Sequence, residues 1–342
     1  MSDKPLLRAL RGEKSHTPPI WFMRQAGRYL PEYRQKRAEA GGFLDMCYNP
    51  AFATEVTLQP IRRYGMDGAI LFSDILVVAH ALGADVRFVE GEGPKLTPIR
   101  TAAGLDALDP SRLHGHLAPV YQAVRQLRAA LPAETTLIGF AGAPWTVAAY
   151  MIEGAGSKEW PNTRYMAYAE RALFARLIDM LTDATADYLG AQIEAGAEAV
   201  QIFDSWAGVL PEGEFEAWGI APVARIVAQL RARHPDVPIL AFPRGVGVLY
   251  RRFAQAVPVD GLSLDTTVPI AWAADTLDVP CLQGNLDPLL LRAGGPRLDA
   301  EVDRIVGAYA DRPYIFNLGH GVLPETDPAH VAQVVDRLRA KA

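Results

Sequence analysis

Eight short apolar runs separated by longer amphipathic stretches recur along the whole chain. This alternation restricts the possible folds more than any other feature. The runs fall at 20–23, 68–72, 136–140, 197–203, 237–242, 261–264, 279–282 and 314–317. Helical patterns between them cover 50–64, 115–131, 162–195, 213–233, 246–256, 269–276, 299–310 and 327–341, the third long enough for two helices. Strands that alternate with helices all run in one direction, so the pattern predicts a parallel sheet covered by helices. Eight is the number of strands that closes such a sheet on itself. The expected fold class is therefore α/β, a single (β/α)8 TIM barrel with its active-site cleft at the C-terminal ends of the strands. One domain over 1–342 is expected, with 1–18 as an N-terminal extension. No Ser/Gly-rich linker and no repeat of 20–50 residues divides the chain. The segment 84–114, rich in Gly, Pro and charge, reads as an excursion after the second strand.

The residues just past the apolar runs support the barrel. The first run leads into Arg24, the second into Ser73-Asp74 and the fourth into Asp204-Ser205. The fifth leads into Pro243-Arg244 and the sixth into Asp265. The seventh continues as Gln283-Gly284-Asn285 and the last as Gly319-His320-Gly321. In a barrel these polar groups meet at one mouth, where the chemistry of such folds is done.

A formal net charge of −5 argues against non-specific nucleic-acid binding. Any anionic small molecule would have to be held by local cations. The two cysteines, Cys47 and Cys281, are far apart and fit no metal-ligand spacing, so neither a metal nor a disulfide framework is expected. Residues Met1 to Ser15 are charged and lack an apolar signal core, and no run is long enough to span a bilayer. A cytoplasmic protein without membrane or nucleic-acid partners is the expectation.

Two places carry chemistry on their residues alone. After Pro19-Ile20-Trp21-Phe22-Met23 comes Arg24-Gln25-Ala26-Gly27-Arg28-Tyr29-Leu30-Pro31-Glu32-Tyr33-Arg34. Two arginines four apart, with a glycine between them, suit an anion clamp, because the guanidinium fork matches a carboxylate and glycine lets backbone approach closely. A solvated basic turn is the competing reading. Asp74 offers an acceptor-only carboxylate at a strand end. It is either a counter-charge in the mouth or the cap of the next helix.

The segment 24–34 resembles the N-terminal signature of the uroporphyrinogen decarboxylase family. The resemblance recurs at Leu71-Phe72-Ser73-Asp74-Ile75-Leu76, at Gly142-Ala143-Pro144-Trp145-Thr146 leading to Tyr150, and at Phe203-Asp204-Ser205-Trp206-Ala207-Gly208. It continues at Gln283-Gly284-Asn285-Leu286-Asp287-Pro288 and Asn317-Leu318-Gly319-His320-Gly321. It implies a cofactor-free barrel, generally a homodimer, that removes the four acetate carboxyls of uroporphyrinogen III to give coproporphyrinogen III in tetrapyrrole biosynthesis. It also implies substrate contacts at Arg24, Gln25, Ala26, Gly27, Arg28, Asp74, Tyr150, Ser205 and His320, with Asp74, Arg37, Tyr150 and His320 as the catalytic group. Phe22, Met23, Phe203 and Ile75 are candidates for an apolar floor.

Two alternatives stay open at this point. A corrinoid-linked methyltransferase shares the fold but generally needs zinc held by clustered His and Cys. A non-catalytic tetrapyrrole carrier would keep the binding residues without turnover.

The clamp reading is testable on Arg28. Arg28→Lys keeps the charge but loses the bidentate fork. We expect KM to rise and kcat to fall together, with kcat lower by on the order of a hundredfold if the reacting acetate is displaced by about an ångström. Steady-state kinetics with unchanged kcat and KM would identify 24–34 as a solvated turn.

Overall fold

The structure, a computed structural model, describes residues 4–340. Seven of the eight expected runs form strands of one parallel sheet. They are β1 (Gly68–Ile70), β4 (Thr136–Gly142), β5 (Ala199–Asp204), β6 (Ile239–Pro243), β7 (Gly261–Ser263), β8 (Cys281–Gln283) and β9 (Tyr314–Ile315), paired in that order. Two further strands, β2 (Val86–Val89) and β3 (Gly93–Leu96), make an antiparallel hairpin inside the 84–114 excursion.

The first expected strand, 20–23, is the exception. It makes only a single parallel bridge, Ile20 to Phe316. The reason lies in its backbone donors, most of which go to side chains. Ile20 N donates to Asp67 Oδ2 at 2.8 Å, Phe22 N to Gln25 Oε1 at 2.9 Å and Met23 N to Asn317 Oδ1 at 3.1 Å. The segment still lies between the two edge strands, since Phe316 N donates to Pro19 O and Asp67 N to Ile20 O. The sheet is thus a curled half-barrel of seven strands with this segment running along the gap between β9 and β1.

Strand residues alternate between two cores, as the two-residue period requires. Ile138, Ala199, Leu240, Cys281 and Ile315 turn inward and pack with Trp21 and with a helix at Pro5–Leu10. That helix lies in the expected N-terminal extension, yet Leu6, Leu7, Ala9 and Leu10 are all buried. It fills the end of the sheet's hollow opposite the strand C-termini. Lys4 ties it down by donating to Thr135 O at 2.8 Å and pairing with Glu198 at 2.6 Å, a largely buried pair. The outward strand faces meet the larger helix core, in which Pro50–Tyr64, Leu113–Ala130 and Arg171–Ala195 are the long members. The 162–195 stretch does divide in two, at Glu170 between Pro161–Ala169 and Arg171–Ala195.

Several short helices were not legible as periodic stretches. Pro31–Glu39, Phe43–Cys47, Pro144–Glu153 and Pro288–Ala293 are 9, 5, 10 and 6 residues long. Three begin with proline, whose fixed φ and missing donor suit the first turn.

The plug at the closed end can be tested separately from the mouth. Leu6 is fully buried, and its Cδ1 lies where a Cβ on Gly68 would come within 2.9 Å. Leu6→Ala leaves a void and should lower unfolding stability by about 2–5 kcal/mol. Urea denaturation should show the loss, while the turnover of the folded fraction stays near normal.

Candidate active site

Parallel pairing brings every strand's C-terminal end to one rim, and there the chain encloses a cavity of about 450 Å3. Its floor is aromatic. Phe140, Phe203 and Phe242 stand at the ends of β4, β5 and β6, with ring centroids 5.7 and 6.3 Å apart at interplanar angles of 87° and 86°. Met23 and Ile75 join this floor as expected, whereas Phe22 turns into the helix core against Phe316.

The side of the cavity is a second aromatic group. Tyr33 and Phe43 come from the two helices after the arginine segment, Phe72 from the end of β1 and Phe88 from the hairpin. Phe43 and Phe88 were not singled out in the sequence. The only available signal was the alternation Val86-Arg87-Phe88-Val89 before a glycine turn, and it says nothing about where the hairpin folds back.

The polar groups collect above this floor. Arg24, Ala26, Gly27, Arg28, Asp74, Tyr150, Ser205 and His320 all line the cavity, so eight of the ten predicted site residues are brought together. Gln25 and Arg37 are not. Gln25 is fully buried with both ends of its amide engaged, Oε1 accepting from Phe22 N and Nε2 donating to Gly68 O at 3.0 Å. It fastens the arginine segment to β1. Arg37 donates to Gly41 O at 2.9 Å and does not line the cavity, although its charge acts on Tyr33 and Cys47.

Each lining group is aimed by local backbone. Arg24 adopts φ 61°, the left-handed region that side chains rarely enter, and lies against the bare backbone of Gly321. A Cβ on Gly321 would collide with the arginine's Cδ and Cγ. Val322 N donates to Met23 O at 2.9 Å, which locks the two loops together. Tyr150 projects from Pro144–Glu153 and rests edge-on against Trp160, 5.0 Å between centroids, and Trp206, 6.4 Å. Ser205 comes after β5 on a loop pinned by Thr146, whose Oγ1 donates to Asp204 Oδ1 at 2.6 Å and accepts from Trp206 N at 3.1 Å.

The electrostatics arise from a walled but accessible cavity. Arg24 and Arg28 are both open to it, and neither forms an ion pair with a protein carboxylate among the described residues. Protein surrounds Arg24 closely enough that loss of bulk water lowers its pKa, although its head group faces the opening. Burial pushes the Asp74 carboxyl up to about 6, opposed by the Leu76 amide, which donates to Oδ1 at 2.8 Å, and by the charge of Arg24. Asp74 is thus a cavity group whose Oδ1 holds the turn before the helix Val77–Ala81; that helix begins after Leu76 with no side-chain cap, so the cap reading of Asp74 does not hold. His320 is pushed down to about 3, first by burial and then by the positive charges of Arg24 and Arg244. It is neutral at any ordinary pH. Burial raises the Tyr150 hydroxyl, which stays protonated as a donor.

Similarity to known proteins agrees with this arrangement. The family model described as uroporphyrinogen decarboxylase matches residues 1–340. The chain belongs to the uroporphyrinogen decarboxylase family. It is therefore a carboxy-lyase. It is 55% identical over 340 residues to the uroporphyrinogen decarboxylase of Rhodospirillum rubrum, covering 99% of this chain and 98% of that protein. To the uroporphyrinogen decarboxylase of Mesorhizobium japonicum it is 56% identical over 337 residues, 98% of each.

Among solved structures, a methyltransferase from Methanosarcina mazei superposes with a TM-score of 0.76 at 18% identity, over 98% of this chain and 96% of that one. A B12-independent methionine synthase from a Shewanella species gives 0.56 at 11%, over 85% and 86%. These two share the family's architecture and speak to fold alone. Among the described residues no group of three or more His, Cys, Asp or Glu side chains is placed to hold a metal ion, and both cysteines are buried.

The raised pKa of Asp74 has a consequence for stability. Between its ordinary value of 3.8 and about 6, the folded protein binds more protons at this group than the unfolded chain does. Stability contributed here thus grows as pH falls, and above about 6 the ionised carboxylate opposes folding. Asp74→Asn removes that opposition and keeps an acceptor oxygen for the Leu76 amide. Its melting temperature should exceed that of the unsubstituted protein at pH 7.5, with the gap closing by pH 4. An equal gap at both pH values would contradict the shift.

Proposed function

We propose that the cavity removes the four acetate carboxyls of uroporphyrinogen III, giving coproporphyrinogen III and four CO2, with the substrate's own pyrrole as the electron sink. The observation that carries this reading is Asp74. It is the one carboxylate lining the cavity among the described residues, set over an aromatic floor with the charge of Arg24 favouring its ionised form.

Protonation of the ring carbon next to the one that bears an acetate makes the pyrrole cationic, with positive charge shared by the acetate-bearing carbon. The C–COO− bond then breaks, CO2 leaves, and the bonding pair flows into the ring to give an exocyclic methylene. A proton added to that methylene and one lost from the ring yield the methyl group. Each carboxylate thus consumes one proton net. Asp74, when ionised, accepts N–H bonds from the rings and stabilises the developing cation, an effect strongest where water is excluded. No cofactor is required, because the pyrrole performs the task that pyridoxal or thiamine performs elsewhere.

The other residues hold the substrate. Arg24 and Arg28 take carboxylate arms through paired N–H donors. Tyr150 and Ser205 donate hydroxyls, and backbone at Ala26 and Gly27 allows close approach. His320, being neutral, offers one donor and one acceptor, which suits it to orient an arm or pass a proton rather than act as a fixed cation. Arg37 is the outermost member of the group, a carboxylate contact for an arm that reaches past Tyr33. A cavity of 450 Å3 is of ordinary size for a small-molecule site, and the acid arms extend from it through the mouth.

The same reading includes a closed (β/α)8 barrel in which 20–23 serves as the eighth strand of a single domain over 1–342. It also includes a homodimer working in the cytoplasm. The paired bonds of Pro19 and Ile20 to Phe316 and Asp67 support closure. Among the described residues no helix is long and apolar enough to cross a membrane.

The decisive experiment is anaerobic incubation with uroporphyrinogen III, counting the carboxyls lost, before and after dialysis against chelators. Four losses, unaffected by chelation, are expected. Asp74→Asn should lower kcat/KM by at least about a hundredfold with the fold intact. Bound but unchanged substrate would mark a carrier, and zinc-dependent turnover a methyltransferase-like chemistry.

A further inference from the structure

Trp206 follows Ser205 directly, and its main chain is held on both sides by the helix that carries Tyr150. Its N–H donates to Thr146 Oγ1 at 3.1 Å, and its carbonyl accepts from Trp145 Nε1 at 3.0 Å. Trp145 and Thr146 stand in the first turn of Pro144–Glu153, and Tyr150 lies about one turn further along. The two bonds fasten the loop after β5 to this helix. The separation of two cavity hydroxyls, on Ser205 and Tyr150, is therefore set across Trp206.

The side chain of Trp206 continues the same contact. Its ring stands edge-on to Tyr150, with centroids 6.4 Å apart at 66°, and packs against Trp160 at 5.0 Å. Trp160 is fully buried and meets Tyr150 at 5.0 Å and 75°. The three rings form a triangle in which only Tyr150 lines the cavity. The Trp206 indole N–H is shut off from water and makes no other hydrogen bond among the described residues; it acts on the Tyr150 hydroxyl, lowering its pKa against the larger effect of burial. A buried donor is costly to leave unpaired, and the Tyr150 oxygen is the acceptor that removes that cost. Because an indole N–H only donates, the tyrosine oxygen must accept from it, which leaves the hydroxyl proton to be given elsewhere.

We propose that Trp206 is a positioning residue for the decarboxylation, one that keeps the Tyr150 hydroxyl proton turned into the cavity and fixes that hydroxyl relative to Ser205. The inference rests on the decarboxylase reading above. Trp206 does not itself line the cavity, so it acts through Tyr150 and not on the substrate. Its two loop-fastening bonds are made by the backbone and do not need the indole. The N–H can therefore be removed while the loop stays tethered.

The test is a double-mutant cycle on the decarboxylation of uroporphyrinogen III, using Trp206→Phe, Tyr150→Phe and the two combined. Phenylalanine keeps a ring at 206 and removes the N–H. Trp206→Phe should lower kcat/KM about tenfold when Tyr150 is present, and less than about twofold when Tyr150 is already phenylalanine. Losses that simply multiply overturn the proposal, since a residue that only packs the loop would cost the same in both backgrounds. Unchanged kcat/KM in Trp206→Phe overturns it as well. If Trp206→Phe does not fold, Trp206→Leu carries the same comparison. If Tyr150→Phe turns over too slowly to assay, the cycle is read in the Kd for coproporphyrinogen III. Absence of turnover in the unsubstituted enzyme would instead defeat the decarboxylase reading, and this inference with it.

Discussion

Parallel pairing is the constraint on which everything else in this molecule depends. Strands joined by helical crossovers must all point the same way, so their C-terminal ends share one rim. Residues from opposite ends of the chain, Arg24 and His320 among them, come to line one cavity without any local sequence relation. The inward strand faces then sort by height. Aliphatic residues and the Pro5–Leu10 helix fill one end, and the three phenylalanines at the ends of β4, β5 and β6 close off the other. The charged and hydrogen-bonding groups of the lining collect in the space above that floor.

Within that space the charge balance is deliberately incomplete. The protein places guanidiniums at Arg24 and Arg28 without ion-paired carboxylates, and one carboxylate, Asp74, whose burial makes ionisation costly. Most other arginines on this protein are satisfied, as in the ladder of Arg225 and Arg233 with Asp179, Asp183 and Asp187 between two outer helices. Leaving cations unpaired at the mouth of an acidic protein makes sense when the ligand supplies the anions. A neutral His320 completes the set, offering hydrogen bonds without adding to the repulsion.

Behind the lining stands a layer of buried polar residues that never touch the cavity. Gln25 fastens the arginine segment to β1, and Asp204 with Thr146 fixes the loop bearing Ser205. Asp265 ties the ends of β6 and β7, and Asn285 donates to the Asp265 and Val268 carbonyls. Each consumes backbone groups that would otherwise be unsatisfied at the irregular ends of strands. Gln25, which the resemblance places among the substrate contacts, does not line the cavity; its buried amide holds Phe22 and Gly68 in place.

By itself the sequence determined the alternation of strands and helices, the direction of the sheet and the identity of most polar groups at its mouth. Those signals are local, written in apolar runs and in the residue just past each one. Strand positions were legible to within a few residues at seven of eight sites. The eighth failed because its backbone bonds to the side chains of Asp67, Gln25 and Asn317, two of them distant in the chain. Short helices starting at prolines were missed because fewer than three turns leave too little periodicity to read. Only the tertiary structure decided that Phe43 and Phe88 wall the cavity and that Gln25 and Arg37 are not part of its lining. The physical reason is the same in each case. Which way a side chain turns, and whether a charge finds a partner, depends on neighbours that sequence spacing does not specify and that only chain packing brings within a few ångströms.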